Sequence, residues 1–461
     1  MKDELIASVS GLRGIAGGSL TTMVAVRYVA ALESLLPPGP IVIGRDGRES
    51  GPEYCSAIKE FLTSRGRDVL DAGIASTPTL GILVQSRAAA GGIQISASHN
   101  SAKYNGLKCF RWDGRILPAE DGLRVVEAFR LGTPMVQSDR KGNVTCVDGT
   151  AEHLRRVLAI VDGEAIRQRH IGVFLDSGHG AGSRLGQELL NALGCRVSMA
   201  GDEPDGRYEH EPEPTAENLV CMLPQIERSA SEVGFFQDPD ADRLAIASAE
   251  GRYLGEESTF ALAVEHRLSK SSGTIVTNCS TSRMSALIAE RYGATCHMSA
   301  VGEANVVDMM LSTGAVLGGE GNGGVIDPRV GLVRDSFVAM AVVLDQMVAR
   351  NQSVESLSQL LPHLEMRKLK IELDPSKLSA VLEALRMRYP NATESRLDGL
   401  RLEWSHQWLL VRGSNTEPVV RMIAEGADSN GVDELITEAT AVVQVCANSG
   451  ESVQKDPQTV P

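Results

Sequence analysis

Short apolar runs recur along the chain, each closed by a turn signal and followed by a stretch with helical periodicity. Ile41-Val42-Ile43 with Gly44-Arg45-Asp46 predicts a buried strand running into a turn. A helix-like stretch follows to Arg65-Gly66-Arg67, and Asp68-Val69-Leu70 opens a second strand. The same order returns at His170 to Asp176, with a helix to Leu193 and then Gly194-Cys195-Arg196-Val197. It returns again at Thr274 to Thr277, with a helix to Tyr292 and then Gly293-Ala294-Thr295-Cys296. A glycine that ends a helix, followed by a short strand, is the punctuation of βαβ units, whose sheets are covered by helices. Each unit then closes with one more strand that enters a polar loop: Gly92 to Asn100, Val233 to Arg243 and Ala315 to Gly324. Loops beyond the carboxyl ends of such strands are where α/β folds bind ligands.

A fourth strand-and-loop segment, Trp408 to Val411 followed by Arg412 to Pro418, has different surroundings. Leu364 to Leu373 and a helix from Ser376 to Tyr389 read as α+β. The expected fold class is therefore α/β: three related α/β domains with mixed sheets plus a smaller α+β C-terminal domain. The expected boundaries are 1–145, 146–252, 253–362 and 363–447, with 448–461 a polar, flexible tail.

Length agrees with this count, since 461 residues at roughly 100–200 per domain make three or four. Apolar residues at 43% and charged residues at 23% are ordinary globular values. The formal charge of −14 argues against nucleic acid or an anionic membrane as partner, because both need a basic stripe. Aromatic content of 4% weakens base stacking as well. A small anionic substrate stays open, since a few arginines reverse the potential locally. The eight cysteines form no C-x-x-C pair, which predicts buried free thiols in a reducing compartment. Met1 to Ser10 lack the apolar core of a signal peptide, and Lys2-Asp3-Glu4-Leu5 is not at the C-terminus, where retention tags are read. The longest apolar run, Phe337 to Leu344, is far short of a membrane span. A soluble cytoplasmic protein is the expectation.

The second loop carries the sharpest chemistry. Asp238, Asp240 and Asp242 alternate just after an apolar strand. Carboxylates this close repel by roughly 1 kcal/mol per pair even in water, and a hard divalent cation relieves that repulsion. Oxygen-only ligands suit magnesium or calcium rather than zinc. An EF-hand would need glycine and glutamate where Arg243 and Ala249 stand. A haloacid-dehalogenase phosphatase would need a nearby threonine or serine and an early position in the first domain. A solvated acidic turn is the plain alternative.

In the first loop Ser98 lies between Ala97 and His99-Asn100. As a phosphoserine it would carry about two negative charges and three acceptor oxygens suited to a hard cation. Lys108 follows an expected turn at Tyr104-Asn105-Gly106 and can return to the same cleft. The fourth loop offers Arg412, Ser414, Asn415 and Thr416, then Arg421, a donor set that matches a phosphate dianion. The glycines around Glu320 and Asn322 allow close backbone approach while two side chains read hydroxyl groups. Ser10-Gly11-Leu12-Arg13-Gly14 holds a further arginine, with a surface turn as the plain reading.

These loops, in this order, resemble those of the α-D-phosphohexomutase superfamily over nearly the whole chain. Ser96 to Asn100 is similar to its active-serine loop, Asp238 to Arg243 to its metal loop, Gly319 to Gly323 to its sugar loop and Arg412 to Pro418 to its phosphate loop. The resemblance implies four domains around a central cleft. It implies Ser98 as phosphoserine and, with Asp238, Asp240 and Asp242, as a ligand of Mg2+. It places Lys108, His99 and Arg13 among the catalytic residues. Lys108 or His99 would handle the proton and Arg13, which stays protonated, would give electrostatic support. Arg243, Glu320, Asn322, Arg412, Ser414, Asn415, Thr416 and Arg421 would bind substrate.

The implied activity interconverts hexose 6-phosphate and hexose 1-phosphate through a hexose 1,6-bisphosphate. Asn322 and Gly324 stand where many members have serine and histidine, and Ser101 replaces a common proline. The Glu-Gly-Asn-Gly-Gly form resembles archaeal-type mutases of phosphoglucosamine and phosphomannose, and the asparagine is similar to that of acetylglucosamine-phosphate mutases. Glucosamine phosphate is the expected substrate, mannose and glucose phosphates the alternatives. A non-catalytic sugar-phosphate-binding protein and a simple phosphatase are the readings of another kind. A hinge is expected near residues 360–370.

Overall fold

A computed structural model describes residues 5–414 and 419–448. Asn415, Thr416 and the segment from Ser449 onward, where the flexible tail was expected, lie outside the described residues. By contact density the chain divides into two compact units, one ending at Pro362 and one beginning at His363.

The first unit contains one strand plan three times. In the first sheet the strands Ile41–Arg45, Val69–Ile74 and Gly91–Ile95 run parallel, and Tyr104–Arg111 returns antiparallel beside Gly91–Ile95. The second sheet repeats this with Gly172–Asp176, Arg196–Ala200 and Val233–Gln237, returned by Leu244–Ser248. The third uses Ile275–Asn278, Cys296–Ser299 and Leu317–Glu320, returned by Gly324–Ile326. Each polar loop is thus the hairpin connection between a buried parallel strand and its antiparallel return. The first sheet also gains Ile6–Ser8 and Gly11–Ile15 at one edge and Val144–Cys146 at the other. The expectation of three related α/β layers with mixed sheets matches this architecture.

Two local expectations are corrected. Tyr104-Asn105-Gly106 is no turn, because it opens the return strand, pairing with Gly11–Ile15 on one side. Gly106 is needed there because a Cβ would lie 2.5 Å from the Leu12 carbonyl oxygen. Arg13 likewise sits within the strand Gly11–Ile15, opposite Gly106, rather than in a surface turn.

The long apolar run belongs to the helix Ser336–Arg350, buried from Ser336 through Met347. A helix that is apolar all round has to lie inside the protein, and this one packs on the helices Glu256–Lys270, Gly163–Arg169 and Thr150–Leu158. Its single internal acid, Asp345, accepts from His266 at 2.7 Å and also pairs with Lys270. Asp335 caps its first turn by accepting from the Phe337 and Val338 amides. Among the described residues, no helix is long and apolar enough to cross a membrane.

The second unit is α+β. Its antiparallel sheet runs Glu365–Glu372, Val419–Gly426, Gln407–Gly413, Leu400–Glu403 and Thr393–Ser395. Leu400, Leu402, Leu409, Val411, Val420 and Met422 alternate onto one face, where Val381 and Leu385 of one helix and Val432 and Ala439 of another complete the core. All eight cysteines are free. Cys55, Cys109 and Cys279 are buried, but Cys146 and Cys221 are exposed, so burial holds for only part of the set.

Candidate active site

The serine loop is fixed by two residues that follow the strand Ile41–Arg45. Arg48 donates to four carbonyl oxygens, those of Ser98 and Asn100 at 2.6 Å, Ser101 at 2.8 Å and Tyr104 at 2.9 Å. Asp46 accepts from Arg48 Nε at 3.0 Å and from the Ser96 hydroxyl at 2.6 Å, and Ser96 Oγ in turn accepts from the Ser98 amide. So fixed, Ser98 adopts φ 51°, a left-handed conformation that costs a residue with a Cβ roughly 1–2 kcal/mol. The turn aims its hydroxyl across to the second domain, where it donates to Asp238 Oδ2 at 2.9 Å.

The metal loop is as tightly built. Asp238 Oδ1 accepts from the amides of Asp242 and Arg243 at 3.1 Å, which closes the turn around Ala241 at φ 55°. Asp240 accepts from the Thr77 hydroxyl, and the Thr77 amide donates to the Asp240 carbonyl at 2.9 Å. One oxygen from each of Asp238, Asp240 and Asp242 lies within 4.8 Å of the other two, and all three residues have 0% exposure. Oδ1 of Asp240 and Oδ1 of Asp242 accept no hydrogen bond among the described residues. Buried acceptors without donors, all oxygen and all acidic, fit a hard divalent cation. These residues could therefore hold a metal ion.

Cations of the chain surround the triad. Lys108 Nζ donates to Asp242 Oδ2 at 2.7 Å and also to Asp240 Oδ2. The strand register that sets Lys108 opposite Gln94 makes this possible. Arg334 Nη2 reaches Asp242 Oδ2 at 2.7 Å, and Arg243 lies 3.8 Å from Asp242 and 4.0 Å from Asp238. Burial raises the Asp238 carboxyl well above the usual range, helped by the like charges of Asp242 and Asp240. Asp242 shares that burial, but Arg334, Lys108 and Arg243 outweigh it and hold its carboxyl well below the usual range. Burial opposes the Lys108 ammonium, yet Asp240 and Asp242 raise its pKa, so it stays charged. His99 is the converse. Desolvation first, then Arg243 and Arg13, push its imidazole well below the ordinary value, leaving it neutral with Nδ1 3.4 Å from Ser98 Oγ.

In the third hairpin Glu320 ends its strand 4% exposed and accepts from Asn278 Nδ2 at 2.7 Å and Arg334 Nη1 at 2.6 Å. Asn322 Oδ1 is buried with no hydrogen-bond donor among the described residues. Gly323 has φ 85°, and its carbonyl accepts from the Leu244 amide, fastening the sugar loop to the metal loop. Arg13 Nη1 donates to Asn100 Oδ1 at 3.2 Å on the other side of the serine.

The first unit thus brings together Ser98, His99, Lys108, Arg13, Asp238, Asp240, Asp242, Arg243, Glu320 and Asn322. Arg412 and Arg421 belong to the second unit, where they are direct neighbours across Gln407–Gly413 and Val419–Gly426. Like charges directly opposite on a sheet repel, and Asp398 offsets part of this at 3.1 Å from Arg412 Nε. Ser414 follows at the strand end.

Sequence reasoning missed Arg48, Thr77, Glu303 and Arg334. Arg48 carries a readable signal, an Asp-x-Arg pair directly after a buried strand. The others are joined to the site only by the fold.

Models of the four domains described as phosphoglucomutase/phosphomannomutase match the chain in turn. The α/β/α domains I, II and III match residues 5–132, 151–251 and 256–364, and the C-terminal domain matches 373–442. A protein of Methanopyrus kandleri named probable phosphoglucosamine mutase is 30% identical over 447 residues, 95% of this chain and 97% of that protein. A phosphoglucomutase/phosphomannomutase of Thermococcus kodakarensis is 31% identical over 435 residues, 92% of this chain and 95% of that protein. In fold, the chain is similar to a solved phosphoglucomutase/phosphomannomutase family protein of Burkholderia thailandensis. The TM-score is 0.84 at 24% identity, with 96% of this chain and 98% of that one covered.

Proposed function

Because this chain belongs to the phosphoglucomutase/phosphomannomutase family of α-D-phosphohexomutases, we propose that it interconverts hexose 6-phosphate and hexose 1-phosphate, with glucosamine phosphate as preferred substrate. The observation that carries the proposal is Ser98, wholly buried at a strained turn, with its hydroxyl 2.9 Å from one of three clustered aspartates.

In this reading Ser98 carries a phosphoryl group at the start of the cycle. The O–P bond at Ser98 breaks as a bond to a free sugar hydroxyl forms, giving the hexose 1,6-bisphosphate. The proton lost by the sugar ends on Ser98 Oγ, and neutral His99 is the group placed to exchange it. The bisphosphate turns over, and its other phosphoryl group returns to Ser98.

Asp238, Asp240 and Asp242, with Ser98, would hold Mg2+, which supplies positive charge to the oxygens of the moving phosphoryl group. Lys108, held as an ammonium, adds fixed charge beside them, as does Arg13 beyond Asn100. Glu320 and Asn322 read the sugar hydroxyls, and Arg243 supports the phosphoryl end. Arg412, Ser414, Asn415, Thr416 and Arg421 anchor the phosphate that is not reacting. Eight free cysteines support a reducing, cytoplasmic setting.

The test is a coupled assay of the phosphorylated, magnesium-loaded protein on the 6-phosphates of glucosamine, mannose and glucose. The expected result is turnover, highest kcat/KM for glucosamine 6-phosphate and loss on chelation. Full activity of Ser98→Ala would overturn the mechanism. A preference for mannose or glucose phosphate would favour the activity named for the Thermococcus relative. Binding without turnover would make the protein a sugar-phosphate binder, and phosphate release faster than isomerisation a phosphatase.

A further inference from the structure

Arg334 lies 92 residues from Asp242 in sequence and follows the sugar loop, yet its guanidinium spans both loops at once. Nη2 donates to Asp242 Oδ2 at 2.7 Å and Nη1 to Glu320 Oε2 at 2.6 Å. The third nitrogen, Nε, lies 3.3 Å from Glu303 Oε2, and the Arg334 amide donates to Glu303 Oε1 at 2.9 Å. The backbone on the other side is also fixed. Asp335 caps the buried helix Ser336–Arg350, accepts from His153 at 2.7 Å, and its amide donates to the Val325 carbonyl. At 7% exposure Arg334 is buried.

Its path depends on Gly324. A Cβ at that position would stand 2.3 Å from Arg334 Cδ and 2.9 Å from Cγ. The arginine stem therefore fills the space that a side chain at the end of the sugar loop would take. The same imagined Cβ lies 3.2 Å from Asn322 Oδ1, so guanidinium stem, loop glycine and buried asparagine oxygen are packed as one group.

We propose that Arg334 is a positioning residue that couples the metal loop to the sugar loop, setting the orientation of Glu320 while competing with a divalent cation for Asp242. A cation on Asp242 and a sugar on Glu320 then act on the two ends of one guanidinium. Any change of affinity between them is mutual. Lysine in its place keeps the charge but loses the planar fork that serves two carboxylates together. The inference rests on the mutase reading for the identity of the sugar and on the aspartate geometry alone for the cation.

The experiment compares Arg334→Gln, Arg334→Lys and Gly324→Ala with the parent protein, after circular dichroism has shown that each is folded. Mn2+ binding is read by electron paramagnetic resonance without sugar, and kcat and KM are read with glucosamine 6-phosphate and Mg2+. Arg334→Gln and Gly324→Ala should bind Mn2+ about tenfold more tightly, because a competing charge has gone or moved. Arg334→Lys should keep Mn2+ affinity near that of the parent. Arg334→Lys and Gly324→Ala should raise KM about tenfold with a smaller change in kcat. Unchanged Mn2+ affinity in Gly324→Ala, or unchanged KM in both Arg334→Lys and Gly324→Ala, overturns the proposal. If Arg334→Gln does not fold, the other two variants still decide. A parent protein that turns over none of the three sugars defeats the mutase reading instead, and the Mn2+ titration then decides the coupling.

Discussion

The serine loop and the sugar loop are the same device built from opposite residues. Each links a buried parallel strand to an antiparallel return, and each turns through one left-handed residue, Ser98 at φ 51° and Gly323 at φ 85°. In the sugar loop the position needs no side chain, and a Cβ there would lie 2.3 Å from the Leu244 carbonyl oxygen. In the serine loop the turn itself carries the hydroxyl that faces Asp238. Glycine relaxes the backbone where close approach is wanted, whereas strain is kept where a side chain has to be aimed. Arg48, donating to three carbonyls of the serine loop and to that of Tyr104 at the start of the return strand, is what holds that strain in place.

The comparison breaks first at Ser98. Ser98→Ala and Ser98→Gly should both lower mutase turnover by roughly a thousandfold or more, since in the proposed cycle each removes the hydroxyl that carries the phosphoryl group. Only Ser98→Gly relieves the backbone, so it should be more stable than Ser98→Ala by about 1 kcal/mol in chemical denaturation. Equal stability would mean that the left-handed turn stores no strain.

Lys108 tests the charge balance beside the turn. Lys108→Met leaves Asp240 and Asp242 buried with one cation fewer, and should cost about 3 kcal/mol in the presence of a chelator. Added Mg2+ should recover part of that loss. A destabilisation that ignores Mg2+ would separate Lys108 from the cation site.

Gly323→Ala approaches the comparison from the glycine side. With a positive φ and a carbonyl oxygen in the way, it should cost about 1–3 kcal/mol and raise KM for the sugar phosphate. A neutral result, in denaturation and in KM together, would show that the sugar loop has slack.

The smallest expected effect lies on the loop that carries Glu213, which stands 3.8 Å from both His99 and Arg243. His210 on this loop meets Asp176 at 2.8 Å. Burial disfavours its charge, but the hydrogen bond and charge of Asp176 prevail and raise its pKa above the ordinary value. A raised folded pKa gives stability that is full below about pH 6.5 and is lost as pH rises through the folded value. His210→Gln should therefore lower the unfolding free energy at pH 6 by about 1 kcal/mol or less, and by less again at pH 9, as read by chemical denaturation. A gap that widens towards pH 9 would reverse the assignment.

Much of the site is legible without coordinates because its parts are local. Asp238, Asp240 and Asp242 sit on one hairpin, Ser98 and His99 on another, and Glu320 and Asn322 on a third. The repeat of strand, helix and strand announces that these hairpins end equivalent strands. What local pattern misses is the direction of return. Tyr104-Asn105-Gly106 has the composition of a turn, yet pairing with Gly11–Ile15 makes it the start of a strand, whose later pairing with Gly91–Ile95 delivers Lys108 to the aspartates.

Residue order alone says which chemical groups exist and in which short loops they stand: the serine of one loop, three alternating acids, a glycine-rich loop and an arginine pair. Which charge faces which is a matter of folding. Arg334 reaches Asp242 and Glu320, Thr77 reaches Asp240, and burial with Arg243 and Arg13 outweighs Asp242 at His99 and lowers the pKa of its imidazole. The physical reason is range. Strand and turn preferences act over a few residues, whereas the state of a buried charge is set by every neighbour within several ångströms, however distant along the chain.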